Sequence, residues 1–410
     1  MRSAAMGVLG RDTSERLAVR RKLAVITTHP IQYYAPWFRH IAATGDLSLR
    51  VFYLWDFGVN SRLDPGFRQT IKWDIPLLAG YEYSFVRNTS RDPGTHRFRG
   101  IWNPSIVRHV KAYAPSAILM LGYNFATCIY LILRVRDIPL IFRGDSHRLV
   151  RRAGMREAIR RKLIGLVFRR FSAFLYVGSA NYEYFRYHDV PEKKLFRAPH
   201  AVDNERFFSS VVDARVEASK WREELGIARG DLVILFAGKL EPDKRPLDLL
   251  SAFQSAELRD TSLLFVGSGP LEEPLKAAAA GDPRIYFAPF QNQSLMPRTY
   301  SAGDVFVLPS HSETWGLAVN EAMCMARPVI VSDRVGCARD LVVPYQNGLI
   351  FPAGNVAALA SCLREALSDR KRLQAWGQQS HVSIQDYSYS QATEGLLQAM
   401  NNLAVSAGPH

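Results

Sequence analysis

Short apolar runs recur along the chain, most of them closed by glycine or a polar residue. Residues 21–28 read as a basic lead-in to a buried strand, Tyr33–Ala43 as a helix and Leu49–Leu54 as a second strand. That succession opens a βαβ unit. Ala117–Leu121, Pro139–Phe142 and Ala173–Val177 repeat the strand pattern and run into Gly122-Tyr123-Asn124, Arg143-Gly144-Asp145 and Gly178-Ser179. Residues 56–104 are richer in Gly, Pro, Asp and Asn and read as irregular loops. A second set follows: strand Leu232–Ala237, helix Pro246–Phe253, then strands Ser262–Val266, Arg284–Ala288, Val305–Leu308 and Val329–Val331. Apolar strands separated by helices predict parallel sheets covered on both faces. The expected fold is α/β: two Rossmann-like, doubly wound domains facing across a cleft, with the boundary near residues 203–230. Ligands bind such sheets beyond the carboxyl ends of the strands, which puts the site between the domains.

Composition agrees with two domains. The chain has 410 residues, 48% hydrophobic and 22% charged, as in ordinary globular proteins. No run approaches the roughly 20 apolar residues that span a bilayer. Residues 1–20 carry charge without a long apolar run and are expected to be a loosely held extension, not a secretory signal. The expected divisions are then 21–203 and 204–385, with a helix or tail over 386–410. Cys128, Cys324, Cys337 and Cys362 form no C-x-x-C pair, so small buried residues in a reducing cytosol are expected. Charge is uneven. Residues 1–205 hold 33 Lys+Arg against 16 Asp+Glu, while the remainder holds 19 against 22. The two domains should therefore meet different partners.

Candidate chemistry concentrates in the second half. Ser310-His311-Ser312-Glu313-Thr314-Trp315-Gly316-Leu317 follows a strand, and Gly316–Met325 has helical character. Glu313 then lies on the loop before a helix and Glu321 inside it. Their spacing returns to nearly the same face at about 3.6 residues per turn, so both carboxylates can look into one pocket. Free N–H groups at the helix start make an anion site, and Gly316 allows close approach. An ordinary helix with two surface acids explains this segment alone equally well. Upstream, Gly238-Lys239 ends a strand and Lys244 follows on the same loop; two such cations can grip a diphosphate, although solvated loops are often basic too. Gly267-Ser268-Gly269-Pro270 adds a tight turn at the next strand end.

Taken in order, these segments with Leu-Pro-Ser, Glu-x7-Glu-Ala-Met and Arg-Pro-Val-Ile resemble family 4 of the retaining glycosyltransferases, which have the GT-B fold. The likeness spans roughly residues 172–365. Pro199–Phe207 looks like that family's inter-domain Pro-Asn-Gly-Val-Asp-x-x-x-Phe, and Asn347–Pro352 like its Asn-Gly-Leu-Leu-Val-Pro turn. The resemblance implies a UDP- or GDP-sugar donor. Glu313 would contact hydroxyls of the donor sugar and Glu321 the ribose. Lys239 and Lys244 would neutralise the leaving diphosphate. Gly238 and the backbone of Thr314, Trp315, Gly316 and Leu317 would cradle the phosphates. Lys239 stands where the family usually has Arg and lacks its bidentate fork. His200-Ala201 replaces Asn-Gly at the hinge. No D-x-D occurs, which agrees with a metal-independent reaction without a cofactor.

The first half departs further. His29-Pro30-Ile31-Gln32 occupies the place of the family's Gly-Gly loop. His29 and Gln32 can orient an acceptor hydroxyl or simply cap the structure. Relatives place a His after the strand ending here at Phe142, a position for which Asp145 and His147 compete. Residues 148–170 hold nine basic side chains and one acid, with Arg148, Arg152, Arg156 and Arg160 spaced as one helical stripe beside Met155, Ile159, Leu163 and Leu166. A basic amphipathic helix reads as an anionic-membrane element; a core-packed helix with a solvated basic face is the alternative. Phe168 and Phe171 are not laid out for nucleic-acid stacking, and no nucleic-acid partner is expected. The expected activity is hexosyl-type transfer to a hydroxyl of a lipid-linked or polysaccharide glycan, in the cytoplasm or peripherally on the cytoplasmic membrane face. Two competing readings are a sugar-nucleotide epimerase or phosphorylase on the same fold, and a non-catalytic membrane or polyanion adaptor.

Overall fold

The computed structural model describes residues 20–58, 62–64, 69–150 and 154–406. Apart from Arg20, the expected extension lies outside them. Among the described residues the chain forms two parallel sheets and one small hairpin, Arg62–Asp64 with Gln69–Ile71. The first sheet runs, in spatial order, Glu82–Phe85, Leu47–Tyr53, Arg21–Thr27, Ala117–Leu121, Leu140–Arg143, Ala173–Tyr176 and Leu195–Arg197. The second runs Ile285–Ala288, Thr261–Val266, Leu232–Ala237, Val305–Leu308, Val329–Ser332 and Gly348–Phe351.

Alternate residues of each central strand feed opposite cores, as the two-residue repeat of a strand requires. Ala24, Ile26, Ile118 and Met120 join one cluster, while Leu23, Val25, Ala117 and Leu119 join the other. Val233 and Leu235 separate in the same way from Ile234 and Phe236. Burial on both faces explains why these strands appear as unbroken apolar runs. Five strands escaped the pattern, two of them those of the small hairpin. Glu82–Phe85, inside the stretch expected to be irregular, is an edge strand with mostly exposed side chains. Leu195–Arg197 and Gly348–Phe351 are short edges of their sheets.

The strand order reverses beside Arg21–Thr27 in the first sheet and beside Leu232–Ala237 in the second. The loops leaving those two switch points, 28–34 on one side and 238–245 with 309–317 on the other, face each other. Long-range packing ties the domains together. Helix Tyr389–Ser406 returns to the first domain, where Trp37 Nε1 donates to Thr393 Oγ1 at 3.1 Å. Asp340 accepts from Ser179 N at 2.9 Å and from its hydroxyl at 2.8 Å, capping helix Ser179–Tyr187 from the other domain.

The basic helix differs from expectation. It runs Met155–Phe168 and starts at Gly154, whose φ is 99°. Arg148 lies before it, with its guanidinium 3.4 Å from the centre of the Tyr187 ring, and Arg152 falls outside the described residues. The four arginines therefore do not form one stripe; Arg156 and Arg160 remain on the helix. The helix does pack on the core, but not through the expected stripe. Only Ile164 and Phe168 are buried, whereas Met155, Ile159, Leu163 and Leu166 are 77%, 53%, 58% and 57% exposed.

Candidate active site

A cavity of about 560 Å³ opens between the two switch points. Its second-domain wall is made of backbone meeting backbone. A Cβ on Gly267 would stand 2.0 Å from Gly238 O, and one on Gly269 would stand 2.5 Å from Leu240 O, so only glycine lets these loops pack together. The Glu313–Gly316 loop is held from behind by Gly336 N on Glu313 O at 3.0 Å and Cys337 N on Trp315 O at 2.9 Å. A Cβ on Gly336 would sit 1.9 Å from Thr314 O. Sequence reasoning missed this buttress, because Gly336 is an isolated glycine with no motif around it.

The helix after this loop begins at Leu317, and Gly316 before it adopts φ 99°. The donor N–H groups thus start one residue later than expected. The Trp315 indole is 2% exposed and donates to Asn320 Oδ1 at 2.9 Å, and Asn320 in turn donates to His200 O at 3.1 Å. The Glu313–Gly316 loop is therefore bolted to the inter-domain hinge.

Charge is arranged along the cavity. Lys244 and Glu313, distant in sequence, form an ion pair in which both side chains are largely buried, because their strands are neighbours in the sheet. Lys239 and Gly238 line the same wall. Glu321 lies deeper, 2% exposed. Its Oε2 accepts from Tyr300 Oη at 2.7 Å, while Oε1 has no hydrogen-bond partner among the described residues. Burial pushes its pKa up to about 7; Tyr300, Arg206, Tyr33 and Gln293 hold the rise back. Tyr300, Gln293 and Arg206 were not singled out from the sequence. Arg206 donates to Gln293 O at 2.6 Å and to Gln293 Oε1 at 3.0 Å, fixing the loop beside Glu321.

The first-domain wall holds His29, Gln32, Tyr33 and Tyr34, with Phe57 and Trp73 from the long loop. His29 meets Trp55 and Phe57 edge-on, at 5.8 and 5.3 Å between ring centres. Of the two competing residues, Asp145 lines the cavity. His147 instead places Nε2 2.7 Å from Glu313 O and braces that loop. Asp145 Oδ2 accepts from Thr314 Oγ1 at 2.9 Å and faces His200 Nε2 at 3.6 Å. Desolvation pushes the Asp145 carboxyl up, but His200 and Thr314 outweigh it and bring it to about 2, so it is ionised. Burial lowers the His200 pKa. Beneath them Arg143, itself buried, donates to Ala198 O and Pro199 O and supports the hinge. Among the described residues no group of three His, Cys, Asp or Glu side chains converges as a metal would need.

Two parallel-sheet domains with a cavity between their switch points define a GT-B protein. Solved structures agree on the fold. Sucrose-phosphate synthase from Thermosynechococcus elongatus aligns with a TM-score of 0.72 at 20% identity, covering 95% of this chain and 100% of its own. Anabaena HepE, solved with UDP and glucose, aligns at 0.69 and 16% identity, covering 93% and 99%. Residues 217–382 match the family model described as glycosyl transferases group 1. Among curated relatives, a sulfoquinovosyl transferase of Arabidopsis thaliana is 30% identical over 176 residues, 42% of this chain and 34% of its own length. A D-inositol 3-phosphate glycosyltransferase of Nocardia farcinica is 32% identical over 191 residues, 43% and 42%. The chain thus spans well under half the length of these two relatives.

Proposed function

We propose that this protein is a retaining glycosyltransferase that moves a hexosyl-type sugar from a UDP- or GDP-sugar to an acceptor hydroxyl. The observation that carries the reading is the cavity itself. The Lys244–Glu313 pair, the glycine-built loop at Thr314–Leu317 and Glu321, whose buried Oε1 has no hydrogen-bond partner among the described residues, all line it. A diphosphate fits between Lys239, Lys244 and the Thr314–Leu317 backbone. The ribose hydroxyls reach Glu321, and the sugar lies between Glu313 and Asp145. In the reaction the bond from the anomeric carbon to the β-phosphate oxygen breaks and the bond to the acceptor oxygen forms. The acceptor proton passes to the departing phosphate. Lys239, Lys244 and the helix-start N–H groups stabilise the charge that grows there, so no metal or other cofactor is required. His29 and Gln32 border the acceptor side.

Donor hydrolysis and transfer assays with UDP- and GDP-sugars test this, with EDTA present and absent. Glu313→Ala and Lys244→Ala are each expected to lower kcat at least 100-fold. Unchanged turnover in both variants would remove the site assignment. Turnover that needs phosphate or water rather than an acceptor would favour the phosphorylase or epimerase alternative.

The acceptor side points to an anionic membrane. At about 100° per residue, Met155, Ile159, Leu163 and Leu166 fall within roughly 80° of one another. Ile164 and Phe168, the buried residues, lie on the opposite side. Arg156 and Arg160 border one edge of the exposed stripe, and Lys162 and Arg169 border the other. An apolar strip between two cationic edges suits the interface of an anionic bilayer and brings the enzyme to a lipid-linked glycan. Flotation with vesicles containing phosphatidylglycerol should capture the protein, and Ile159→Glu with Leu163→Glu should abolish capture. Equal capture of the variant would dismiss this surface.

A further inference from the structure

The long loop of the first domain reaches across the cleft. Lys72 O accepts from Asn292 Nδ2 at 2.8 Å, and the Asp74 carboxylate accepts from Ser294 N at 3.1 Å and from its hydroxyl. Between these two contacts Trp73 meets Phe290 edge-to-face, 6.3 Å between ring centres, and both rings line the cavity. The indole also lies close against Gly58, whose φ of 89° disfavours any residue with a side chain. On its other side the 290–294 loop is anchored by Arg206 through Gln293. That loop is thus gripped by its own domain from below and by the opposite domain from above.

The position in the cavity says what the roof covers. Within the cavity Glu313 pairs with Lys244 and Asp145 bonds to Thr314, while Gln293, beside Glu321, belongs to the loop that sets Phe290 against Trp73. The second group ends in two aromatic rings, Trp73 and Phe290. A flat, neutral heterocycle suits that end; a hydroxyl-rich sugar suits the end with the ion pair. The bonds from Asn292 and Ser294 are at the solvent-facing rim, where water competes for them. Such bonds hold a closed state without locking it.

We infer that residues 72–74 are a strap from the first domain that closes over the nucleobase of the donor, with Trp73 and Phe290 as its contact face and Asn292 and Ser294 as its catch. The inference rests on the donor reading above. It makes Trp73, which lies outside the segment matched to the family, a determinant of nucleotide affinity.

The test is competition binding with UDP, GDP and inorganic pyrophosphate on the full chain, followed by release of a fluorescent UDP or GDP analogue in stopped flow. Trp73→Ala should weaken the preferred nucleotide about tenfold, as loss of one base–aromatic contact does, with pyrophosphate binding unchanged. Trp73→Phe should restore most of the affinity. Asn292→Ala should speed analogue release several-fold. A Trp73→Ala protein that binds the nucleotide as tightly as the unaltered one overturns the strap while leaving the donor site standing. Equal weakening of pyrophosphate also overturns it, because that marks general damage. If the unaltered protein binds neither UDP nor GDP, the donor reading fails and the strap with it.

Discussion

Glu321 gives the donor site a pH signature. Burial holds its pKa near 7 in the free protein, and its Oε1 has no partner among the described residues. Ribose hydroxyls donating to that carboxylate favour the charged form and return the pKa toward the ordinary carboxylate range. Binding then draws on the ionised fraction alone. Affinity should be flat above about pH 8 and fall tenfold per unit below about pH 7, until the pKa of the bound state is reached. At pH 6 only about one molecule in eleven is ionised, so the loss between pH 8 and pH 6 is about tenfold, or about 1.4 kcal/mol. Calorimetric titration should use a UDP- or GDP-sugar, because the terminal phosphate of a free nucleotide itself titrates near about pH 6. Proton release on binding, read from buffers of different ionisation enthalpy, should rise as pH falls from 8 to 6. Glu321→Gln should bind more weakly throughout and lose the slope. The reasoning is refuted by a flat affinity in the unaltered protein over this range, or by a slope that survives in Glu321→Gln.

The same carboxyl should cost stability. An acid whose pKa is raised by folding contributes fully below its unfolded value of about 4.5 and loses that contribution as pH rises through about 7. Glu321→Gln should therefore be more stable than the unaltered chain at pH 8, by about 1–3 kcal/mol, with the advantage gone near pH 4.5, as denaturant titrations at both pH values would show. Gly336→Ala places a methyl against Thr314 O; nucleotide affinity should drop at least tenfold, since the loop that receives the phosphates must shift, and normal affinity would exclude the buttress role. Asp340→Ala removes the cap on Ser179 across the domain junction and should cost about 1–2 kcal/mol, seen as a lower urea midpoint.

What could be read from sequence divides along a physical line. The second domain was legible because its site is built at strand ends: a buried strand is an unmistakable apolar run, and the residues just past it must be at the cleft. Gly238, Lys239 and Glu313 were placed that way and Glu321 by its helical spacing from Glu313, and all four line the cavity. Pairing was not legible. Lys244 meets Glu313 only because two strands far apart in sequence are neighbours in the sheet, and no local pattern encodes that. The long loop was opaque for a different reason. Trp73 and Asp74 act on the other domain, so their neighbours in sequence carry no periodicity pointing to them. The exposed stripe on helix Met155–Phe168 shows the reverse difficulty. Its amphipathic pattern was visible, but periodicity cannot say which face meets the core, and here Ile164 and Phe168 outcompete the longer stripe.

The hinge shows how such gaps can close. His200 in place of Asn, and Asp145 in the position contested with His147, read from sequence as separate departures from the family pattern. In the folded chain they face each other at 3.6 Å, with Thr314 bonded to the same carboxylate. One comes from the hinge, one from the first domain and one from the donor loop. An ionised Asp145 beside a buried imidazole keeps a negative charge in the cavity between the domains. It also links the donor loop to the segment about which the domains would turn. The two substitutions are therefore one local rearrangement: the imidazole sits in the hinge and the carboxylate in the cleft. That joins the hinge, the first-domain wall and the Thr314 loop at one point of the cavity.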